Sequence, residues 1–171
     1  KKYLTAIADS GLPFIRFNQV MAMQVLPAKF CLLRHDVDRK PLNALAMAQL
    51  EKDMGACATY YFRAKPGVFN ADIIKKISAM GHEVGYHYES LSDADGEIDE
   101  AVADFEKNLE AFRKVAPVKT ISMHGRPLKP YDNRDIWRNS NNHELLVSKF
   151  NVLGEEYLVI DYTDIAYIND T

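Results

Sequence analysis

Short runs rich in β-branched and aromatic residues alternate along this chain with longer stretches in which apolar residues recur every three or four positions. Lys2 to Asp9 reads as a first helix closed by Gly11 and Pro13, and Asn18 to Met23 as a short second one. Phe30 to His35 (FCLLRH) is a nearly continuous apolar run, as in a strand covered on both faces, and predicts a central parallel strand. Pro41 suits the first turn of a helix carrying Leu42, Leu45, Ala46 and Leu50, with Gly55 where a C-terminal glycine belongs. Cys57 to Arg63 is the next strand. Asn70 can cap a helix bearing Ile73, Ile74, Ile77 and Met80, which Gly81 ends before a strand from His82 to Tyr88. Ile98, Val102, Phe105, Leu109 and Phe112 follow spacings of four, three, four and three, the stripe of the longest helix, which Pro117 stops. Lys119 to Met123 is a further strand, Arg126 to Asn133 a Pro-containing loop, and Asp135 to Arg138 the start of a short helix. Phe150 to Val152, Tyr157 to Ile160 and Ile165 to Ile168 read as strand-like pieces.

This alternation predicts an α/β fold with a parallel sheet and crossover helices, which places chemistry beyond the carboxyl ends of the strands. Three of those ends are dense in polar groups: Arg34-His35-Asp36-Val37-Asp38, Tyr86-His87-Tyr88-Glu89 and His124-Gly125-Arg126. The chain's 171 residues suit one domain over 1–171. A net charge of −3 supplies no general field for a phosphate backbone, so nucleic acid is not an expected partner. Cys31 and Cys57 lie in apolar runs without CxxC spacing, which favours a reducing, cytoplasmic setting. No apolar run reaches the roughly 20 residues of a membrane span. The first residue is Lys1 rather than Met, and the expectation is a piece of a longer protein. Phosphate-loop, GxGxxG and GxSxG patterns are absent and neither cysteine has an adjacent histidine, which disfavours nucleotide binding and covalent catalysis.

Asp36 and Asp38 are two apart at a strand end, so an extended backbone points both carboxylates to one side. Two carboxylates that close need a cation beside them, and a divalent metal is a natural one. An Asp that caps the next helix, or pairs with Arg34 or Arg39, explains one of the two but not both. In GHEVGYHYE, alternation puts Glu83, Gly85, His87 and Glu89 on one side and His82, Val84, Tyr86 and Tyr88 on the other. His87, at the carboxyl end, is the ligand candidate, whereas His82 at the opposite end suits a structural hydrogen bond. Glu89 could bind metal, orient an imidazole or pair with a lysine. His124 ends its strand and Gly125 lets the chain turn, so its imidazole can project over the same face. Asp38, His87 and His124 then give one oxygen and two nitrogens, the donor set of a catalytic zinc with an open position. His143, in a polar stretch, reads as solvated, and the strand aromatics as core.

With LRHDVDRKP, ATYYFR, GHEVGYHYE and ISMHGRPLKPYDN in view, the stretch from about Phe30 to Asn133 resembles the polysaccharide deacetylases of the NodB-homology type, carbohydrate esterases with a distorted (β/α) barrel. The resemblance implies a metal-dependent hydrolase that removes an acetyl group from a sugar or polysaccharide precursor, with Asp36 as general base and Asp38 and His87 as metal ligands. In that family a second histidine lies four beyond the first, where this chain has Leu91. His124 is expected to replace that ligand, and Arg126 to replace the arginine that tunes the base. The family's late histidine acid has no counterpart before Thr171, which fits a barrel truncated at its C-terminus. Another metal-dependent amide or phosphoester hydrolase, and a catalytically degenerate glycan-binding barrel, are the alternatives, the latter favoured by Leu91.

Overall fold

The computed structural model describes residues 2–138, 140–163 and 165–168. The chain opens with α1 (Lys2–Asp9), β1 (Phe14–Ile15), α2 (Phe17–Ala22), β2 (Cys31–Leu32) and β3 (Arg34–Val37). Helix and strand then alternate through α3 (Pro41–Asp53), β4 (Thr59–Phe62), α4 (Ala71–Ala79), β5 (Glu83–Tyr88), α5 (Ser90–Asp93), α6 (Ile98–Arg113) and β6 (Thr120–Met123). α7 (Asp135–Arg138), α8 (Ser140–Ser148), β7 (Gly154–Glu155) and α9 (Glu156–Val159) follow. Five strands pair in parallel in the order β3-β4-β5-β6-β7, and β1 and β2 form a separate parallel pair. The fold is therefore α/β, a five-stranded parallel sheet flanked by helices; β3 and β7 do not pair with each other among the described residues. No helix of the described residues is long and apolar enough to cross a membrane.

Local chemistry sets the element ends. The Asn70 carboxamide oxygen accepts the Ile73 N–H at 3.1 Å, capping α4, and Gly81 ends that helix at φ +95°, a conformation that side chains with a Cβ rarely adopt. Pro41 begins α3, where its missing N–H is no loss.

The two faces of the sheet differ in kind. On one, Val37, Tyr60, Phe62, Val84, Tyr86, Tyr88 and Ile121 pack against Ile74 and Ile77 of α4, Phe105, Leu109 and Phe112 of α6, and Trp137 of α7. Ring centroids lie 5.4 Å apart for Tyr86 and Phe105 and 4.7 Å for Phe105 and Trp137. Each such burial contributes roughly 1.5–3 kcal/mol, and this face supplies the main apolar core. The other face is polar and layered by register. Arg34, Thr59 and Glu83 form one row and Asp36, Tyr61 and Gly85 the next, with His87 opposite Ser122 beyond them. At its floor the buried Glu83 carboxylate accepts from the hydroxyls of Thr59 (2.8 Å) and Thr120 (2.5 Å) and from the Asn18 N–H (2.9 Å). α2 lies beneath this floor, where the Phe17 N–H donates to the Thr59 hydroxyl at 3.2 Å.

Several expected elements are displaced. The single strand over Phe30 to His35 is two pieces: Cys31–Leu32 joins β1, and the main-sheet strand runs on to Val37 through the charged RHDV segment. Its ladder is made by backbone groups, and Arg34 and Asp36 neutralise one another across the strand, so polarity does not end it. The Tyr157 to Ile160 piece is the one-turn helix α9, because the Glu155 side chain accepts the Leu158 N–H at 3.0 Å and caps it. Phe150 to Val152 is irregular, with Phe150 and Val152 buried as core anchors, and Ile165 to Ile168 forms no strand. α8 occupies the stretch read as a polar loop around His143, whose side chain is exposed.

Glu155 makes stability pH-dependent. Its carboxylate also accepts the Met123 N–H at 3.0 Å, yet burial pushes its pKa up to about 7 from an ordinary 4.5. A carboxyl raised on folding favours the native state below its unfolded pKa and loses that contribution as pH rises through the folded value. Its share of stability therefore falls by on the order of 3 kcal/mol between about pH 4.5 and 7. Glu155→Gln keeps a carbonyl acceptor and removes the titration, so urea unfolding of the variant at pH 5, 6 and 7 is expected to show a flatter pH profile than the parent chain.

Candidate metal centre

β3 ends by delivering Asp36 and Asp38 to the polar face, β5 delivers His87, and His124 follows the last residue of β6, its N–H bonded to the Tyr88 carbonyl at 2.7 Å. One donor atom from each of Asp38, His87 and His124 falls within 4.8 Å of the others. Asp38 Oδ1 lies 3.7 Å from His87 Nε2 and 3.5 Å from His124 Nδ1, and it is a buried oxygen without a hydrogen-bond partner. A carboxylate oxygen withdrawn from water and left unpartnered between two imidazole nitrogens is costly by itself, and a divalent cation would satisfy all three groups. His87 Nδ1 lies 2.9 Å from the Ser122 carbonyl, which fixes that nitrogen as the donor and leaves the Nε2 lone pair facing the carboxylates. The rings of His87 and His124 are 4.9 Å apart. Burial pushes both imidazoles towards the neutral form, more than Asp36 and Asp38 draw His87 back and Asp38 and Glu89 draw His124 back, and the neutral form is the one that ligates.

Asp36 stands beside this group, its Oδ2 3.7 Å from His87 Nε2 and its side chain 34% exposed, within reach of solvent. Both its oxygens accept from Arg34, from Nε at 2.9 Å and Nη2 at 2.8 Å. Arg34 also donates to the Ser122 hydroxyl at 2.9 Å and, through Nη1, to the buried Glu156. Burial works against the guanidinium's charge, but Asp36 and Glu156 outweigh it and hold Arg34 protonated. Arg126, expected beside Asp36, is placed elsewhere: its Nη1 donates to Glu89 at 3.0 Å and Asp93 at 2.9 Å. It lies past the β6 strand end, next to α5 and the end of β5, while Arg34 shares the strand and face of Asp36 at a separation of two residues. Leu91, at the position where the resemblance expects a histidine, is on α5 and buried in the apolar core, 3% exposed. His82 has the structural part expected of it, its Nε2 2.9 Å from the Ala48 carbonyl and its Nδ1 accepting the Ala58 N–H at 3.1 Å.

Glu89 pairs with arginines, accepting from Arg63 Nε at 2.9 Å and Nη2 at 2.7 Å as well as from Arg126. Burial alone would raise its pKa, but the Arg63 hydrogen bonds, with Lys65 nearby, keep it below the usual carboxylate value. Two contributors were not singled out from sequence. Arg34 reads in the sequence only as an ion-pair partner of an aspartate, and Glu156 stands one residue before the Tyr157 to Ile160 piece that reads as a strand. The adjacent Glu155-Glu156 pair after Gly154, among apolar neighbours, is the one sequence signal that marks it. Compared with family models and with curated proteins, the sequence matches none.

Tyr61 and Gly85 set the spacing of the site. The Thr120 hydroxyl spends its proton on Glu83, so the Tyr61 O–H, 3.1 Å away, donates to Thr120. The Tyr61 ring thus lies across β5, where a Cβ on Gly85 would meet it at 2.2 Å. Gly85→Ala is expected to lower stability by roughly 1–3 kcal/mol through overpacking, read by thermal unfolding, and to weaken metal uptake by shifting β5 beneath His87.

Proposed function

We propose that this protein is a metal-dependent hydrolase that removes an acetyl group from a sugar or polysaccharide precursor. The observation that carries the reading is the unpartnered Asp38 oxygen between His87 and His124, with a second, solvent-reachable carboxylate, Asp36, beside it. The resemblance of the Phe30 to Asn133 stretch to polysaccharide deacetylases supplies the substrate class, and on this reading the sheet belongs to a distorted (β/α) barrel whose interior is the polar face. Asp38, His87 and His124 would hold the ion, with zinc the natural choice for one carboxylate and two imidazoles. Such an ion polarises a carbonyl and brings a bound water's pKa down towards about 7.

The chain's own groups do the rest. Asp36 receives a proton from the attacking water at its exposed carboxylate, a general-base role that typically contributes 10²–10⁴-fold in rate. Arg34 clamps both Asp36 oxygens, fixing the carboxylate's direction. Glu156 and Ser122 hold Arg34 from the opposite side, which stops the guanidinium from following Asp36 outward. The Ser122 carbonyl fixes the His87 tautomer.

Protein purified without affinity-tag metals is expected to carry near-stoichiometric zinc or a similar ion by elemental mass spectrometry, lost in His87→Ala, His124→Ala and Asp38→Asn. Asp36→Asn is expected to keep the metal while acetate release from N-acetylated and O-acetylated sugars drops by about 100-fold or more. Equal metal loss in the two Asp variants would sink this division of roles. Turnover of phosphoesters in place of acetylated sugars would reassign the reaction, and absence of metal after reconstitution would overturn it.

A further inference from the structure

The reading above leaves unexplained a row of cations beside the metal centre. An open cleft of about 580 Å³ has His124 in its wall together with Arg39, Arg63, Lys65 and Arg126. Arg39 follows Asp38 directly in the chain, so the cleft and the metal centre share two walls. The carboxylates in ion pairs with these cations are Glu89 and Asp93. Glu89 takes Arg63 and one nitrogen of Arg126, with Lys65 Nζ at 3.6 Å; Asp93 takes Lys65 at 2.6 Å and the same Arg126 nitrogen at 2.9 Å. Two carboxylates are thus shared among three of the cations, and Arg39 has no carboxylate partner among the described residues. Donors are also left over. Arg126 makes its contacts through Nη1, and Arg39, which is exposed, forms no ion pair among the described residues.

An excess of guanidinium and ammonium donors directed into an open cleft is an oxyanion receptor, because guanidinium nitrogens pair with carboxylate or phosphate oxygens in a fixed fork. We propose that the substrate carries an anionic group, a carboxylate or a phosphate on or next to the acetylated sugar, and that Arg39, Lys65 and Arg126 bind it while the acetyl group reaches the metal centre. This rests on the deacetylase reading for the reaction, though not for the binding. Glu89 and Asp93 hold Arg63, Arg126 and Lys65 in place before the substrate arrives, so little side-chain ordering is left to the binding step. Arg39, without such support, is the group that closes on the ligand.

The test compares N-acetylglucosamine, its 1-phosphate and N-acetylglucosaminuronic acid with the full, zinc-reconstituted chain, by acetate release and, separately, by calorimetric binding. At least one anionic sugar is expected to exceed the neutral one by about tenfold or more in kcat/KM and in affinity. That advantage should shrink as salt is raised and fall by about tenfold in Arg39→Gln and in Lys65→Met, both checked for folding by circular dichroism. Preference for the phosphate or for the uronate identifies the source of the charge. Turnover without discrimination overturns the anion site and leaves the deacetylase reading intact. Salt-sensitive, Arg39-dependent binding of an anionic sugar with no acetate release upholds the anion site and overturns the deacetylase reading. Neither turnover nor preferential binding overturns both.

Discussion

A sheet that turns charge inward must neutralise it locally, because an ion taken out of water without a partner costs several kcal/mol. Arg34 meets that constraint here. It bridges Asp36, on its own strand, to Glu156, at the start of α9 beyond the far edge of the sheet, and touches the Ser122 hydroxyl of β6 between them. A single guanidinium therefore ties β3, β6 and the segment after β7 together on a face where no apolar packing could. Its flat sides are used as well, with Tyr157 4.8 Å and Tyr61 5.5 Å from its carbon. Remove that cation and the buried Glu156 carboxylate is left facing Asp36 without a counter-charge.

The same face shows how burial is graded towards the Asp38, His87 and His124 group. At the floor, the Glu83 carboxylate accepts from the Thr59 and Thr120 hydroxyls and the Asn18 backbone N–H. One layer up, the Tyr61 ring fills the space that Gly85 leaves. At the top, Asp36 and Asp38 are the partly exposed members, 34% and 41%.

Much of this was legible in the sequence because period decides it. Strand alternation alone puts Glu83, Gly85, His87 and Glu89 on one side, and the structure has them there, lining the polar face with its salt bridges. The α4 cap at Asn70 and the α6 stripe follow from spacing too, although the stripe starts lower than expected: Ile98 is exposed and Ala101 takes the inward place, since the first turn of α6 is less covered than the rest. What period could not give was the identity of ion-pair partners across long separations. Arg34 and Glu156 are 122 positions apart, and nothing local tells an arginine which carboxylate it will meet. The strand-like pieces after residue 150 differ in the structure for a related reason. Phe150 and Val152 are apolar because they are buried, and burial in a loop looks the same as burial in a strand. Tyr157 to Ile160 is rich in strand formers, but a side-chain cap from Glu155 outweighs a propensity of a few tenths of a kcal/mol per residue.

α2 lies across the lower end of the polar face, giving its first N–H groups to Thr59 and Glu83. That end of the polar face is consequently covered by backbone donors. The partly exposed end is the one at Asp36, Asp38 and His124, while Tyr61 and Glu83 are buried. Thr59 and Thr120 are fully buried there, so their hydroxyl protons meet bulk water only when this end of the face opens.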